Sequence, residues 1–85
     1  MTMLEISVQV PEESLISLKE QPETFARELQ MLAAVKLYEL GKLSSGRAAQ
    51  LAGVTRVEFL LALGRYRVSP FALDRDALAE DIADA

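Results

Sequence analysis

Ser44-Ser45-Gly46-Arg47-Ala48-Ala49-Gln50-Leu51-Ala52-Gly53-Val54-Thr55-Arg56-Val57-Glu58-Phe59-Leu60-Leu61-Ala62-Leu63-Gly64 is the stretch that decides the fold. Ser44 and Ser45 offer side-chain oxygens to the free N–H groups of a helix over about 45–52. Gly53 permits the positive φ of a tight turn, and Thr55 caps a second helix over about 56–64 that ends at Gly64. The spacing is that of a helix-turn-helix. Ala49, four residues before Gly53, lets two helices cross closely, and Ala48 and Ala52 keep the inner face small. Val54 is a buried turn residue, and Phe59, six after the glycine, fills the space between the helices.

Upstream of this unit the chain reads as helical from 12 to 41. Pro11-Glu12-Glu13-Ser14 opens a short helix to about Lys19, with acids placed at the positive end of the helix dipole. Gln21-Pro22 breaks it, and Glu23 begins the longest helix, about 23–40. Phe25, Leu29, Leu32, Ala33, Leu37 and Leu40 recur there at helical spacing and predict its core stripe, with Gly41 as the stop.

Residues 3–10 alternate, with Leu4, Ile6, Val8 and Val10 on one face and Glu5, Ser7 and Gln9 on the other. Period two with branched residues predicts a β-strand. No second strand-like segment follows, so the expected partner is the same strand of a second subunit, with donation to another protein as the alternative. The expected fold is mainly α: an N-terminal strand paired across a homodimer, then a small helical bundle holding the helix-turn-helix. The whole of 1–85 reads as one domain, with an acidic C-terminal segment at 70–85.

A single small domain of this length buries only about 60–65% of its unfolded surface, and self-association is one remedy for a marginal core. Cys 0 removes disulfides and thiolate metal sites, and His 0 removes the commonest metal ligand and the usual general base. No cofactor, metal or small-molecule substrate is expected. Paired acids such as Glu12 with Glu13 or Asp74 with Asp76 sit near helix caps, and Ser44 and Ser45 lack a His or Cys partner, so no enzyme is expected. No run of about 20 apolar residues is present and the N-terminus lacks signal-peptide character, which predicts a cytoplasmic protein without a membrane segment.

The net charge of −4 is segregated. Residues 1–41 carry three cations against seven glutamates, and residues 68–85 carry Arg75 against five acids. Residues 42–67 carry Lys42, Arg47, Arg56, Arg65 and Arg67 against Glu58 alone. A basic middle between acidic ends suits two partners of opposite charge, or a tail that covers its own patch. Because the basic block coincides with the helix-turn-helix, Lys42, Ser45, Arg47, Thr55 and Arg56 are the candidate DNA-contacting residues, Lys42 and Arg47 toward phosphate and Thr55 and Arg56 toward the groove. Against this, the second helix is mostly apolar and Glu58 has the wrong sign for phosphate, so a helix-turn-helix used for packing or protein contact stays open. The last segment offers Phe71, Leu73, Leu78 and Ile82 flanked by acids, either to dock in a basic groove on a partner or to pack on its own domain.

Three stretches together, Val8–Glu13, Ala34–Ser44 and Gly46–Phe59, resemble uncharacterised protein family 175 of bacteria and archaea. The likeness covers most of the chain and is most specific from Leu37 to Phe59. Members of that family resemble antitoxins, often encoded beside a toxin with a PIN-type nuclease domain. The resemblance therefore implies an antitoxin that binds its toxin and represses its own operon, and it leaves a plain transcription regulator as a further alternative. Such proteins often carry a glycine just after the third helix, whereas Arg65-Tyr66-Arg67-Val68 has none.

Overall fold

The computed structural model describes residues 2–69. Helix α1 spans Glu12–Leu18, α2 Pro22–Glu39, α3 Ser45–Ala52 and α4 Arg56–Ala62, and a 3-10 turn over Leu63–Tyr66 continues α4. The order and bounds follow the local signals closely. Pro22 is itself the first residue of α2, where its missing N–H costs nothing.

One closing device recurs. At the end of α2, Gly41 takes φ 77° and the N–H of Lys42 donates to the Leu37 carbonyl at 2.9 Å. At the end of α3, Gly53 takes φ 75° and the N–H of Val54 donates to the Ala49 carbonyl at 3.0 Å. Both are Schellman closures, which satisfy carbonyls a helix end leaves unpaired. The 3-10 turn ends the same way: Arg67 takes φ 58° and the N–H of Val68 donates to the Leu63 carbonyl at 3.1 Å. An arginine thus holds a left-handed position in the segment where the family resemblance implies a glycine.

The core lies where α2, α3 and α4 meet. Ala34, Val35 and Tyr38 of α2, Ala48 and Ala49 of α3, Phe59 of α4, Leu63 and Val68 are all buried in one cluster. Tyr38 and Phe59 meet edge to face, with ring centroids 5.7 Å apart and planes at 88°, the arrangement the ring quadrupoles favour. Met31, Leu43, Ala52, Val54, Leu60 and Tyr66 pack around this cluster.

Two expectations are corrected here. The N-terminal β-strand does not form: no residue from 2 to 10 is in a strand, and the described residues contain none. A strand needs a ladder, and the chain supplies no second strand to complete one. Met3, Leu4, Ile6 and Val8 are therefore exposed and Val10 is half-buried, so the fold is mainly α without the strand-paired dimer. The second correction concerns which side of α2 faces inward. Leu29, Leu32 and Leu40 of the expected stripe are exposed, and the buried side is the opposite one, built on Ala34, Val35 and Tyr38. The reason is steric. The inner face of α3 is Ala48 and Ala49, and a close crossing there needs a small side chain from α2, which Ala34 provides.

Candidate nucleic-acid interface

The helix-turn-helix is α3, the turn at Gly53-Val54, and α4. Its two N-termini are capped by side chains. The N–H of Arg47 donates to Ser44 Oγ at 3.2 Å. At α4 the N–H of Glu58 donates to Thr55 Oγ1 at 3.1 Å while the N–H of Thr55 donates to Glu58 Oε1 at 2.9 Å, a complete capping box. Glu58 is thus a structural acid that serves its own helix end. The sequence carries the Thr-x-x-Glu signature of that role, which the reading of Glu58 as a misplaced negative charge overlooked.

The same contacts hold the Glu58 carboxyl below its ordinary value of 4.5, first through the Thr55 backbone N–H and then through the Thr55 side chain. A depressed carboxylate contributes stability that is present above its unfolded pKa and is lost as pH falls through its folded pKa. Its share of α4 stability is therefore present at neutral pH and disappears below about pH 4.5. Thr55→Ala removes the cap and is expected to cost about 1 kcal/mol at neutral pH. In urea titrations at neutral and acid pH, Glu58→Gln is expected to lose less stability on acidification than wild type. Equal pH dependence in the two proteins would refute the assignment.

The structure brings some of the sequence-derived site residues together and separates others. Ser45 is 2% exposed, so it cannot itself reach a groove. Its Oγ instead accepts a hydrogen bond from Arg56 Nε at 2.8 Å. That bond joins the start of α4 to the start of α3 and fixes the stem of an otherwise exposed arginine. Arg47, one turn into α3, is exposed, with Nη1 donating to Gln50 Oε1 at 3.2 Å. Lys42 is exposed in the loop before α3, and Thr55 is exposed at the α4 cap. Arg65 lies 5.9 Å from the Tyr66 ring centroid. Lys42, Arg47 and Arg56 thus cluster about the α3 N-terminus, whose backbone dipole adds to the positive field. Phe71, Leu73, Leu78 and Ile82, the expected partner-binding residues, lie outside the described residues.

The solvent side of α4 has a different character. Val57 is 64% and Leu61 77% exposed, one helical turn apart. Thr55 and Arg56 supply the polar groups of this helix that could address base edges, and Val57 and Leu61 supply apolar contact of the kind that meets thymine methyl groups. Among the described residues no helix is long and apolar enough to cross a membrane, and no group of three or more His, Cys, Asp or Glu side chains could hold a metal ion.

A small helical chain organised around a capped helix-turn-helix with cations at its leading edge defines the class. The chain belongs to the Uncharacterised protein family (UPF0175), which it matches over residues 1–85. It is similar to two proteins of Aeropyrum pernix that carry the name UPF0175 protein. One is 32% identical over 77 residues, covering 91% of this chain and 81% of the relative. The other is 36% identical over 56 residues, covering 66% of this chain and 71% of the relative. No solved structure matches.

Proposed function

We propose that this chain is a DNA-binding regulatory protein of the antitoxin type, acting in the cytoplasm without catalysis. The observation that carries the reading is the exposed pair Arg47 and Arg56 at the N-terminal edges of α3 and α4, with Arg56 held in place by buried Ser45. Cations fixed at that edge meet the phosphate backbone, which supplies most protein–DNA affinity. Thr55 and Arg56 then stand where the second helix of a helix-turn-helix enters the major groove. The antitoxin part rests on the family resemblance and on residues 70–85, where Phe71, Leu73, Leu78 and Ile82 alternate with acids that suit a basic groove on a toxin such as a PIN-type nuclease. Repression of its own operon follows if the same protein occupies the upstream DNA.

The test is a titration of labelled duplex from upstream of the gene, read by fluorescence anisotropy over a range of salt. Wild type is expected to bind with log K falling linearly in log salt. Arg47→Ala with Arg56→Ala is expected to weaken binding and to reduce the salt slope by about 2, one unit per lost phosphate contact. Equal affinity and slope in the two proteins would remove these arginines from the interface.

One observation favours a second reading, a protein-interaction module. Exposed Val57 and Leu61 on α4 form an apolar face of the kind that packs on protein. That reading predicts no DNA shift at low salt and loss of a protein complex on Leu61→Lys.

A further inference from the structure

Helix α2 has two apolar sides, and the core uses one. Phe25, Leu29, Leu32, Lys36 and Leu40 follow one another at intervals of four, three, four and four residues, which keeps them on a single stripe of a 3.6-residue helix. The opposite stripe carries Ala34, Val35 and Tyr38 into the core. Leu29, Leu32 and Leu40 are left 37%, 43% and 58% exposed. Nearby in sequence, α1 buries no residue and presents Ile16 and Leu18 to solvent. Met3, Leu4, Ile6 and Val8 are exposed in the segment before it.

We propose that the outer stripe of α2 is a homodimer interface, in which two copies of α2 pack antiparallel about a two-fold axis near Leu32 and Ala33. The occupant is a second copy of this chain for three reasons. First, the stripe is self-complementary. Reversing it about that midpoint sets Phe25 against Leu40 and Leu29 against Lys36, with Leu32 and Ala33 at the centre, as an isologous contact requires. The aliphatic stem of Lys36 covers Leu29 of the second copy while its ammonium stays at the rim, beside Glu28 of that copy. Second, the area suffices. The exposed apolar residues of α2, α1 and the N-terminal segment together offer on the order of 1,000 Å² per subunit, against about 800 Å² that one partner contributes to a standard interface. Third, charge turns away the other candidate within the chain. Residues 70–85 are strongly acidic and the stripe is flanked by Glu28 and Glu39, so that segment meets like charge there. The spacing of three and four along the stripe is also that of knobs-into-holes packing.

The test needs no DNA, so its outcome is independent of the nucleic-acid reading. Light scattering on the full chain at well above micromolar concentration is expected to give twice 9.4 kDa. Leu29→Lys with Leu32→Lys is expected to give a single-chain mass with unchanged far-UV circular dichroism, since both residues lie outside the core. A second measurement uses the absence of cysteine. Leu32→Cys is expected to form a disulfide-linked dimer under mild oxidant, whereas Leu61→Cys, exposed on α4, is not. A wild-type protein of single-chain mass, a double-lysine variant that stays dimeric, or cross-linking at position 61 without cross-linking at 32 would each overturn the proposal.

Discussion

Phe59→Ala is expected to leave the protein largely unfolded at room temperature. Phe59 is fully buried between the helices of the helix-turn-helix and packs edge to face on Tyr38. Removing its ring from a core of alanines leaves a cavity that small neighbours cannot fill, and such truncations cost about 3–5 kcal/mol. A domain of 85 residues has a total stability of about 4–13 kcal/mol, and the lower part of that range suits a core built from nine buried apolar side chains, four of them alanine. The substitution therefore consumes most of the margin. Val57→Ala, two residues away on the exposed side, is the matched control, expected to change stability by less than about 0.5 kcal/mol. Urea titration followed by far-UV circular dichroism checks both. A loss below about 1 kcal/mol for Phe59→Ala would mean that the two helices do not close on this ring.

Ala49→Leu has the next largest expected effect, by the opposite route. Ala49 is 2% exposed, and its carbonyl closes the end of α3 by accepting from the Val54 N–H. A leucine there places three more carbons where α3 meets its neighbours, and overpacking of this kind costs about 1–3 kcal/mol. Helices cannot simply part to make room, because the Ser45–Arg56 bond and the turn at Gly53 tie α3 to α4 at both ends. The expected result is a lower urea midpoint together with weaker DNA binding, since Arg56 loses its support. Substituting Gln50, exposed on the same helix, by leucine is expected to leave the midpoint within about 0.5 kcal/mol. If Ala49→Leu is equally mild, the close crossing of the helices is wrong.

What could be read from the sequence divides along physical lines. Helix starts and stops are local. Ser44, Thr55, Gly41 and Gly53 announce them within a turn or two of chain, and all four act as read. The small-residue crossing and the Phe59 plug were legible because helix-turn-helix packing constrains a short span. Burial choices between distant elements were not. Both sides of α2 are apolar, so helical periodicity alone cannot say which side turns inward; the alanines of α3 decide it. Alternation over 3–10 describes an extended chain, but a strand also requires a partner, and period two carries no information about one. Ser45 illustrates the same point at the site: its type suits a phosphate contact, yet tertiary packing places it behind Arg56. Glu58 shows the reverse, a role written in the local sequence and missed because charge was weighed before capping.

Placement of the basic edge explains why a chain with net charge −4 can address a polyanion. Phosphates sense the local field within about a Debye length of roughly 8–10 Å rather than the total charge. Lys42, Arg47 and Arg56 stand together at the α3 N-terminus, and the single acid of that block is tied into its own cap. Buried Ser45 costs little there because its hydroxyl is hydrogen-bonded to Arg56.

The most direct test of the DNA-binding account is an amide chemical-shift map of the labelled protein titrated with upstream duplex. The amides of Ser45 to Arg47 and Thr55 to Glu58 are expected to move together and saturate, while those of Leu29 to Leu32 on the outer face of α2 stay in place. Shifts confined to α1 and α2, or none at low salt, would contradict it.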